Sequence, residues 1–236
     1  MPLDFAQNDN PAFSARREGL RHLIRQIEGG EAETDPSSAR LDEVRPERLA
    51  DIAAASLWAL APHIAGEKPI LWVGEYHRIM DEGLPYGPGL QQAGVAPDRF
   101  ILVRARRAID ALWAMEEGLR SGAVGLVVGE VADMDLTASR RLSLAARESG
   151  VPCMVLGPAG GAGAPAAFSR VLVSAAARDR DDDLQPYLAA RLEKHRGGEP
   201  PATSFMEWND ATHSFAMVAP LAGGTLAASG RHLASA

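Results

Sequence analysis

Short apolar runs separated by amphipathic stretches fill the middle of this chain, and their alternation restricts the fold more than any other feature. The runs carry almost no charge, and we expect strands at 69–74, 99–103, 123–129 and 151–156. Such apolar strands are typical of a parallel sheet that is covered on both faces. Helices are expected at 49–64, 106–122 and 137–149. The alternation predicts an α/β fold: a doubly wound, mostly parallel sheet flanked by helices, with the most apolar run, 123–129, at its centre.

The pattern changes on both sides of this region. A short strand is expected before it, at 40–44, and the small residues of 157–165 predict a flexible loop after it. The segment 187–196 is compatible with either a helix or a strand. A turn signal at 209–210 indicates a hairpin, and we expect it to form a C-terminal antiparallel extension of the sheet. The later strands of the sheet are expected at 168–173, 204–208 and 213–218.

By composition the chain divides into an N-terminal amphipathic helix with its linker (1–39), a core domain (40–220) and a disordered tail (221–236). The N-terminal helix carries apolar residues at helical spacing, and basic residues cover the rest of its surface. It is expected either to pack on its own domain or a partner, or to serve as a basic arm for DNA or an acidic partner. The arginines that would make such a contact are Arg17, Arg21 and Arg25.

Charge and cysteine content restrict the class of protein. The chain has 236 residues, a formal net charge of −7 and an isoelectric point near 5.4, so its overall charge does not attract nucleic acid. The single cysteine, Cys153, excludes an intramolecular disulfide and predicts a buried thiol in a reducing compartment. No apolar run approaches the ~20 residues that span a bilayer, and no signal peptide is visible. We therefore expect a cytoplasmic protein without a membrane partner.

A phosphate-binding loop is missing from the sequence. The motif G-x-x-x-x-G-K-[ST] uses glycines for a backbone cradle and a lysine for the β- and γ-phosphates. No Gly-Lys pair occurs here, and the only lysines are Lys68 and Lys194. Lys68 precedes an apolar strand, whereas phosphate loops follow strands. The chain is therefore expected to lack ATPase activity and to bind no cofactor.

Acidic residues follow two of the expected strands, where α/β proteins usually place their chemistry. These residues are Glu75, Glu130, Asp133 and Asp135. Paired carboxylates hold Mg²⁺ with the phosphates of a nucleotide, so catalysis and nucleotide binding without turnover remain open hypotheses. The alternatives are acids retained at an inactive site, or acids that cap the helix beginning near Thr137. The histidines show no metal-ligand spacing, so no metal site is expected.

Arginines gather where the strand at 99–103 meets the next helix. Cations at a helix N-terminus oppose the helix dipole, so each is expected to have an anionic partner. That partner is a nearby acid such as Glu75 or Glu130, a DNA phosphate, or an acidic protein surface. The candidates for contact with a protein partner or DNA are Arg104, Arg106, Arg107, Arg140 and Arg141.

Large apolar residues are expected inside the protein. Trp58, Trp72 and Trp113 lie on apolar faces, and we interpret them as core residues rather than as platforms for stacking bases. The helix at 106–122 is expected to turn the following residues inward: Ile109, Leu112, Trp113 and Leu119.

The order of strands and helices resembles that of bacterial RecA. The segment 120–124 (RSGAV) is similar to the one that leads RecA into its Walker B strand, which puts Glu130 at the place of the Walker B aspartate. The bend 45–52 takes the place of the phosphate loop but has none of its glycines and no lysine. The loop 157–165 takes the place of a DNA-binding loop, and it is short and uncharged.

Further residues resemble parts of the RecA nucleotide site. Glu75 or Tyr76 falls near the catalytic glutamate, and 194–196 resembles a Lys-x-Lys segment whose lysines reach the ATP of a neighbouring subunit. The resemblance implies a RecA-like core with a degenerate phosphate loop. Its vestigial nucleotide site would comprise Glu75, Tyr76, Glu130, Lys194 and Arg196.

The chain is more similar still to the ImuA family, the RecA-like proteins of bacterial inducible-mutagenesis operons. The similar segments are WVGE at 72–75, PYGPGL at 85–90, VRARR at 103–107, ALWAMEE at 111–117, LTASRRL at 136–142 and EWNDATHSF at 207–215. The resemblance implies a role in SOS-induced, error-prone translesion DNA synthesis. The partners it implies are an ImuB-like polymerase homologue, an error-prone C-family DNA polymerase and RecA.

We therefore interpret the chain as a non-catalytic accessory protein that acts through protein contacts, with self-association and weak DNA contact as further expectations. Two alternatives remain open. One is a nucleotide-binding ATPase or switch with a non-standard phosphate site. The other is a RecA paralogue that binds single-stranded DNA.

Overall fold

The computed structural model describes residues 39–176, 186–195 and 203–218. The strands of this part of the chain are β1 (Leu41–Pro46), β2 (Ile70–Glu75), β3 (Phe100–Ala105), β4 (Leu126–Glu130), β5 (Cys153–Leu156), β6 (Ser169–Ala175), β7 (Tyr187–His195), β8 (Ser204–Asn209) and β9 (Ser214–Val218). Its α-helices are α1 (Ile52–Leu60), α2 (Tyr76–Glu82), α3 (Gly87–Gln92), α4 (Ala108–Ser121) and α5 (Leu136–Ser149).

The described strands form one sheet in the order β3-β2-β4-β5-β1-β6-β7-β8-β9. Every neighbouring pair from β3 to β6 is parallel. The pairs from β6 to β9 are antiparallel. The prediction of a mostly parallel sheet flanked by helices, with a C-terminal antiparallel extension, is therefore confirmed. The more specific likeness to RecA stays a prediction.

The strand at the middle of the sheet is β1, so the prediction that 123–129 is central was wrong. That run forms β4, which lies between β2 and β5. The central strand carries Asp42, Glu43 and Arg45, each no more than 9% exposed. Because β1 is short and charged, its sequence did not show that it is covered on both faces. Each of these charged groups contacts a neighbouring strand or loop, which offsets part of the cost of burial.

Helices cover both faces of the sheet. On one face α1 packs against β1, β5 and β6, and on the other α4 packs against β2, β3 and β4 while α5 packs against β1 and β5. The core under α1 includes Trp58, Trp72 and Phe215, all at most 6% exposed. The core under α4 and α5 includes Met115 and Leu142. Trp58 and Trp72 are thus buried as predicted.

Helix α4 buries a different side from the one expected. Ala111, Met115 and Leu119 are fully buried, whereas Ile109 is 65% exposed and Trp113 is 62% exposed. Two residues along a helix are roughly 200° apart around its axis, so a helix that buries 111 and 115 turns 109 and 113 outward. The prediction that Ile109 and Trp113 point inward was wrong, and Leu112 is partly buried.

Several element boundaries also differ from expectation. The expected helix at 49–64 forms as α1 with a 3-10 turn at each end, Leu49–Asp51 and Ala61–His63. The connection between β2 and β3 holds α2 and α3, which are not among the helices expected from the sequence. The segment left open at 187–196 is strand β7, and β8 and β9 form the predicted hairpin.

The loop 157–165, expected to be flexible, is fastened by buried charged side chains. The Glu43 carboxylate accepts hydrogen bonds from Arg170 Nε at 2.8 Å and from the amide of Ala164 at 2.9 Å. Arg45 donates to the carbonyl of Gly161 and pairs with Glu193 of β7. The loop therefore has fixed attachments to the central strand and to the antiparallel part of the sheet.

Some expectations concern residues outside the described ranges. They are the N-terminal helix with Arg17, Arg21 and Arg25, the residue Arg196, and the tail 221–236.

Candidate functional site

Strands β2 and β4 lie side by side, and each ends in one of the acids singled out from the sequence. Gly74 pairs with Glu130, and Glu75 is one residue further along β2. Because successive side chains of a strand point to opposite faces of the sheet, Glu75 and Glu130 belong to opposite faces. They do not converge on one ion, and the described residues contain no cluster of metal-ligating groups.

Glu75 has partners at this edge. Its Oε1 accepts a hydrogen bond from the amide of Ala132 at 2.8 Å, and its Oε2 lies 3.6 Å from His77 Nδ1. The side chain of Glu75 is 6% exposed, whereas that of His77 is 57% exposed. Tyr76, between them in sequence, is 50% exposed. Glu75 thus stabilises the turn after β4 rather than facing an open site.

Glu130 is different because its charge has no direct counterion. The residue is 3% exposed, and its Oε2 has no hydrogen-bond partner. Burial raises the pKa of Glu130 to about 7, although the nearby positive charge of Arg78 opposes that shift. Glu130 therefore changes charge near neutral pH, which an exposed glutamate does not do.

Arg78 organises this edge, and the sequence analysis did not single it out. It is 3% exposed, and its Nη1 donates to the carbonyls of Val131 at 3.2 Å and Leu156 at 2.8 Å. Its Nε and Nη2 donate to the Glu82 carboxylate at 3.0 Å and 2.6 Å. Arg78 thereby joins α2 to the ends of β4 and β5. The i, i+4 spacing of Arg78 and Glu82 was the only sequence signal for this pair.

The bend after β1, which the resemblance to RecA predicts at the place of the phosphate loop, is closed by a carboxylate of the chain itself. The Asp51 side chain is 2% exposed. It accepts hydrogen bonds from the amide of Arg48 at 3.1 Å, from Arg48 Nε at 3.1 Å and from the amide of Ala175 at 3.0 Å. An anion of the protein thus already occupies one backbone donor of this bend and one of β6.

The structure does not bring Lys194 to the acids at the edge. Lys194 lies in β7, opposite Arg170 of β6, and its Nζ donates to the carbonyl of Pro165 at 2.7 Å. Strands β4 and β7 are four positions apart in the sheet, which is roughly 19 Å at the usual strand spacing. Of the predicted nucleotide-site residues, Glu75, Tyr76 and Glu130 are close in the fold, and Lys194 is not.

Two of the candidate contact arginines are paired within the chain. Arg107 Nη2 lies 2.6 Å from Asp110 Oδ1, and the hydrogen bond from Arg107 lowers the pKa of Asp110. Arg141 pairs with Glu116, which also pairs with Arg120. The expected pairing of the arginines with Glu75 or Glu130 is not observed among the described residues. Within the same ranges, the arginines without an ion pair include Arg104, Arg106 and Arg140.

An exposed apolar surface lies at one edge of the sheet. Strand β3 is the edge strand, and its Ile101 and Leu102 are 47% and 41% exposed. Ile109 and Trp113 project from α4, which packs against β3. Ile101 pairs with Leu71 on the face that α4 covers, whereas Leu102 pairs with Trp72 and lies on the opposite face. We call Ile101, Ile109 and Trp113 the β3–α4 surface. Unpaired strand edges and exposed aromatic residues are typical of sites where proteins bind each other.

These features define an α/β protein with a mostly parallel sheet and with Glu75 and Glu130 buried at the carboxyl ends of two neighbouring strands. Among the described helices, none combines the length and the apolar composition that a bilayer-spanning segment requires. No protein-family model matches the chain.

The chain is similar to Protein ImuA of Caulobacter vibrioides strain NA1000 / CB15N, with 34% identity over 159 residues, which cover 61% of this chain and 65% of the relative. Protein ImuA of Caulobacter vibrioides strain ATCC 19089 / CIP 103742 / CB 15 matches with the same identity and coverage. This similarity supports membership of the ImuA family, as the sequence motifs predicted. The chain spans a little under two thirds of the length of these relatives.

Proposed function

We propose that this chain is a non-catalytic accessory protein of an inducible-mutagenesis system and acts by binding other proteins. The similarity to Protein ImuA supports a place in that system. The more specific proposal is a role in SOS-induced, error-prone translesion synthesis. Its proposed partners are an ImuB-like polymerase homologue, an error-prone C-family DNA polymerase and RecA.

The main support for the proposal that the chain is non-catalytic is the buried carboxylate of Asp51. A phosphate bound at the bend after β1 would need backbone amides such as those of Arg48 and Ala175, and Asp51 accepts from both. A phosphate placed beside this carboxylate would also meet a like charge at low solvent exposure, where repulsion is strong. Arg48 already pairs with Asp51, and Lys194 contacts Pro165 instead of this bend.

The β3–α4 surface supports the protein-binding part. Its exposed tryptophan on α4 is of a residue type that makes large contributions at the centre of interfaces, and the exposed isoleucine beside it adds apolar area. An edge strand adds unpaired backbone groups that a partner strand can use. We propose that the ImuB-like homologue binds here.

The test is to co-express the full chain with the ImuB-like homologue and to titrate the purified full chain with ATP and Mg²⁺ by calorimetry. We expect a complex that survives size-exclusion chromatography and no saturable heat at millimolar ATP. Saturable ATP binding with phosphate release would contradict the non-catalytic proposal. Failure of the two proteins to co-elute would contradict the partner proposal, whatever the nucleotide result.

A further inference from the structure

A cavity of about 510 Å³ lies under Glu130, between α1 and the segment that joins α2 to α3. Pockets that hold small organic molecules are typically ~300–1,000 Å³ and mostly apolar. Here the apolar walls include Leu57 of α1, Leu90 of α3 and Trp208 of β8. Tyr86, which is 74% exposed, lies at its rim. The cavity is thus large enough for a ligand with an aromatic or short aliphatic body.

The charged residues that line this cavity all have the same sign. They are Glu130, Asp210 and Glu82, the last of which is paired with Arg78, and the described residues that line the cavity include no lysine, arginine or histidine. A phosphate or carboxylate ligand would be repelled by this lining, whereas a cation would be attracted. The charge pattern therefore favours a positively charged ligand.

Glu130 supplies the contact that such a ligand needs. The residue is 3% exposed, and its Oε2 has no hydrogen-bond partner. Arg78, whose positive charge acts on Glu130, donates instead to Glu82 and to the carbonyls of Val131 and Leu156. Hydrogen bonding from Trp72 favours the charged form of Glu130, but Oε2 has no donor in hydrogen-bonding geometry. A buried carboxylate oxygen without a donor is unfavourable, so a ligand that brings an N–H donor and a positive charge would relieve that cost.

We propose that the cavity between α1 and Glu130 binds a small organic cation. Its planar nitrogen group, an amidinium or guanidinium, pairs with the Glu130 carboxylate. Its apolar body packs between Leu57, Leu90 and Trp208. Planar cations suit this arrangement because they donate two parallel hydrogen bonds to a carboxylate and stack on aromatic rings. This proposal goes beyond the accessory function and does not depend on it.

The experiment uses benzamidine as the probe, with the full chain at pH 8, where Glu130 is mostly ionised because its pKa is about 7. Neutral benzamide and anionic benzoate have nearly the same shape and serve as matched ligands. We expect ligand-observed NMR and calorimetry to show benzamidine binding with a dissociation constant in the millimolar range or below. Benzamide is expected to bind about tenfold or more weakly, since it lacks the charge-assisted pair.

Two variants test whether benzamidine binds in this cavity. Glu130→Gln is expected to weaken benzamidine binding about tenfold. Ala53→Trp is expected to abolish it by filling the cavity from an exposed position of α1. Glu117→Gln removes the same charge from an exposed site on α4 and should leave binding unchanged. The proposal is overturned if benzamidine does not bind, if benzamide binds equally well, or if Glu130→Gln and Ala53→Trp bind it like the unmodified chain.

Discussion

At the scale of single residues, two glutamates at neighbouring strand ends have different environments. Glu75 reaches the amide of Ala132, so its charge has a hydrogen-bond donor. Glu130 faces the other side of the sheet, where the one nearby cation, Arg78, is bound to Glu82. Sequence reasoning placed both acids at the same edge. It did not assign them to opposite faces, since that depends on a one-residue offset in the pairing of β2 with β4.

The raised pKa of Glu130 predicts how stability depends on pH. Between its ordinary value of 4.5 and about 7, the folded chain keeps the proton while the unfolded chain has lost it. The free energy of unfolding therefore falls as pH rises through this window. Above the window, the ionisation of Glu130 no longer changes it. A shift from 4.5 to about 7 corresponds to roughly 3 kcal/mol.

Glu130→Gln is expected to remove this dependence, because the amide carries no charge at any of these pH values. By urea denaturation, the variant should exceed the unmodified chain in free energy of unfolding by up to roughly 3 kcal/mol at pH 8. The two should be nearly equal at pH 4.5. Glu117→Gln, at an exposed site, controls for the lost charge. If the free energy of unfolding depends on pH in the same way for Glu130→Gln and for the unmodified chain, Glu130 is not the group responsible for this dependence.

At the scale of elements, the central strand β1 and the loop 157–165 form one unit. Glu43 is 1% exposed and holds the loop through the amide of Ala164, while Arg170 pairs with the same carboxylate. The loop can approach so closely because Gly163 has no side chain and adopts a φ of +76°. The composition of the loop suggested flexibility, since a partner 121 residues away in sequence is not visible from the loop itself.

Gly163→Ala is expected to destabilise the protein by more than backbone strain alone. A Cβ at this position would lie 2.3 Å from Glu43 Oε1 and 2.5 Å from Arg170 Nη2, so the buried ion pair would have to separate. Gly160→Ala is the matched control, because its φ is also positive, at +69°, and its added Cβ would meet nothing. We expect about 1–2 kcal/mol for Gly160→Ala and a larger loss for Gly163→Ala. Equal losses by chemical denaturation would show that the contact with Glu43 does not matter.

At the scale of the whole molecule, the sheet has one edge that is suited to a partner. The β3–α4 surface exposes Trp113 and Ile109 on a helix whose opposite side is fully buried. Large apolar side chains that are exposed to solvent do not contribute to packing of the core. Their position beside an edge strand is the physical basis for proposing a protein contact there.

The double change Ile109→Ser and Trp113→Ser is expected to leave stability within about 0.5 kcal/mol, because both side chains are mostly exposed. The same change should weaken capture of the ImuB-like homologue about tenfold or more, as loss of central interface residues does. Leu144→Ser on α5, where the side chain is 55% exposed, is the matched control. Unchanged capture by the double variant would move the proposed interface to another surface.

The sequence by itself determined the class of fold and indicated the similarity to Protein ImuA. Apolar runs of strand length, alternating with amphipathic helices, allow few arrangements other than a covered parallel sheet, and the ordered motifs indicated the ImuA family. Helix ends were also readable, since Asp135 caps α5 by accepting from the amide of Ala138 as its position suggested.

Only the tertiary structure decided which strand is central, which side of α4 is buried and which of the two glutamates lacks a direct ion pair among the described residues. Strand order depends on contacts between segments far apart in the chain, so a charged strand such as β1 can be central once Arg170 and Glu193 supply its partners. The buried side of α4 depends on the shape of the sheet beneath it, and the environment of Glu130 depends on where Arg78 donates. Local sequence patterns contain none of these long-range pairings.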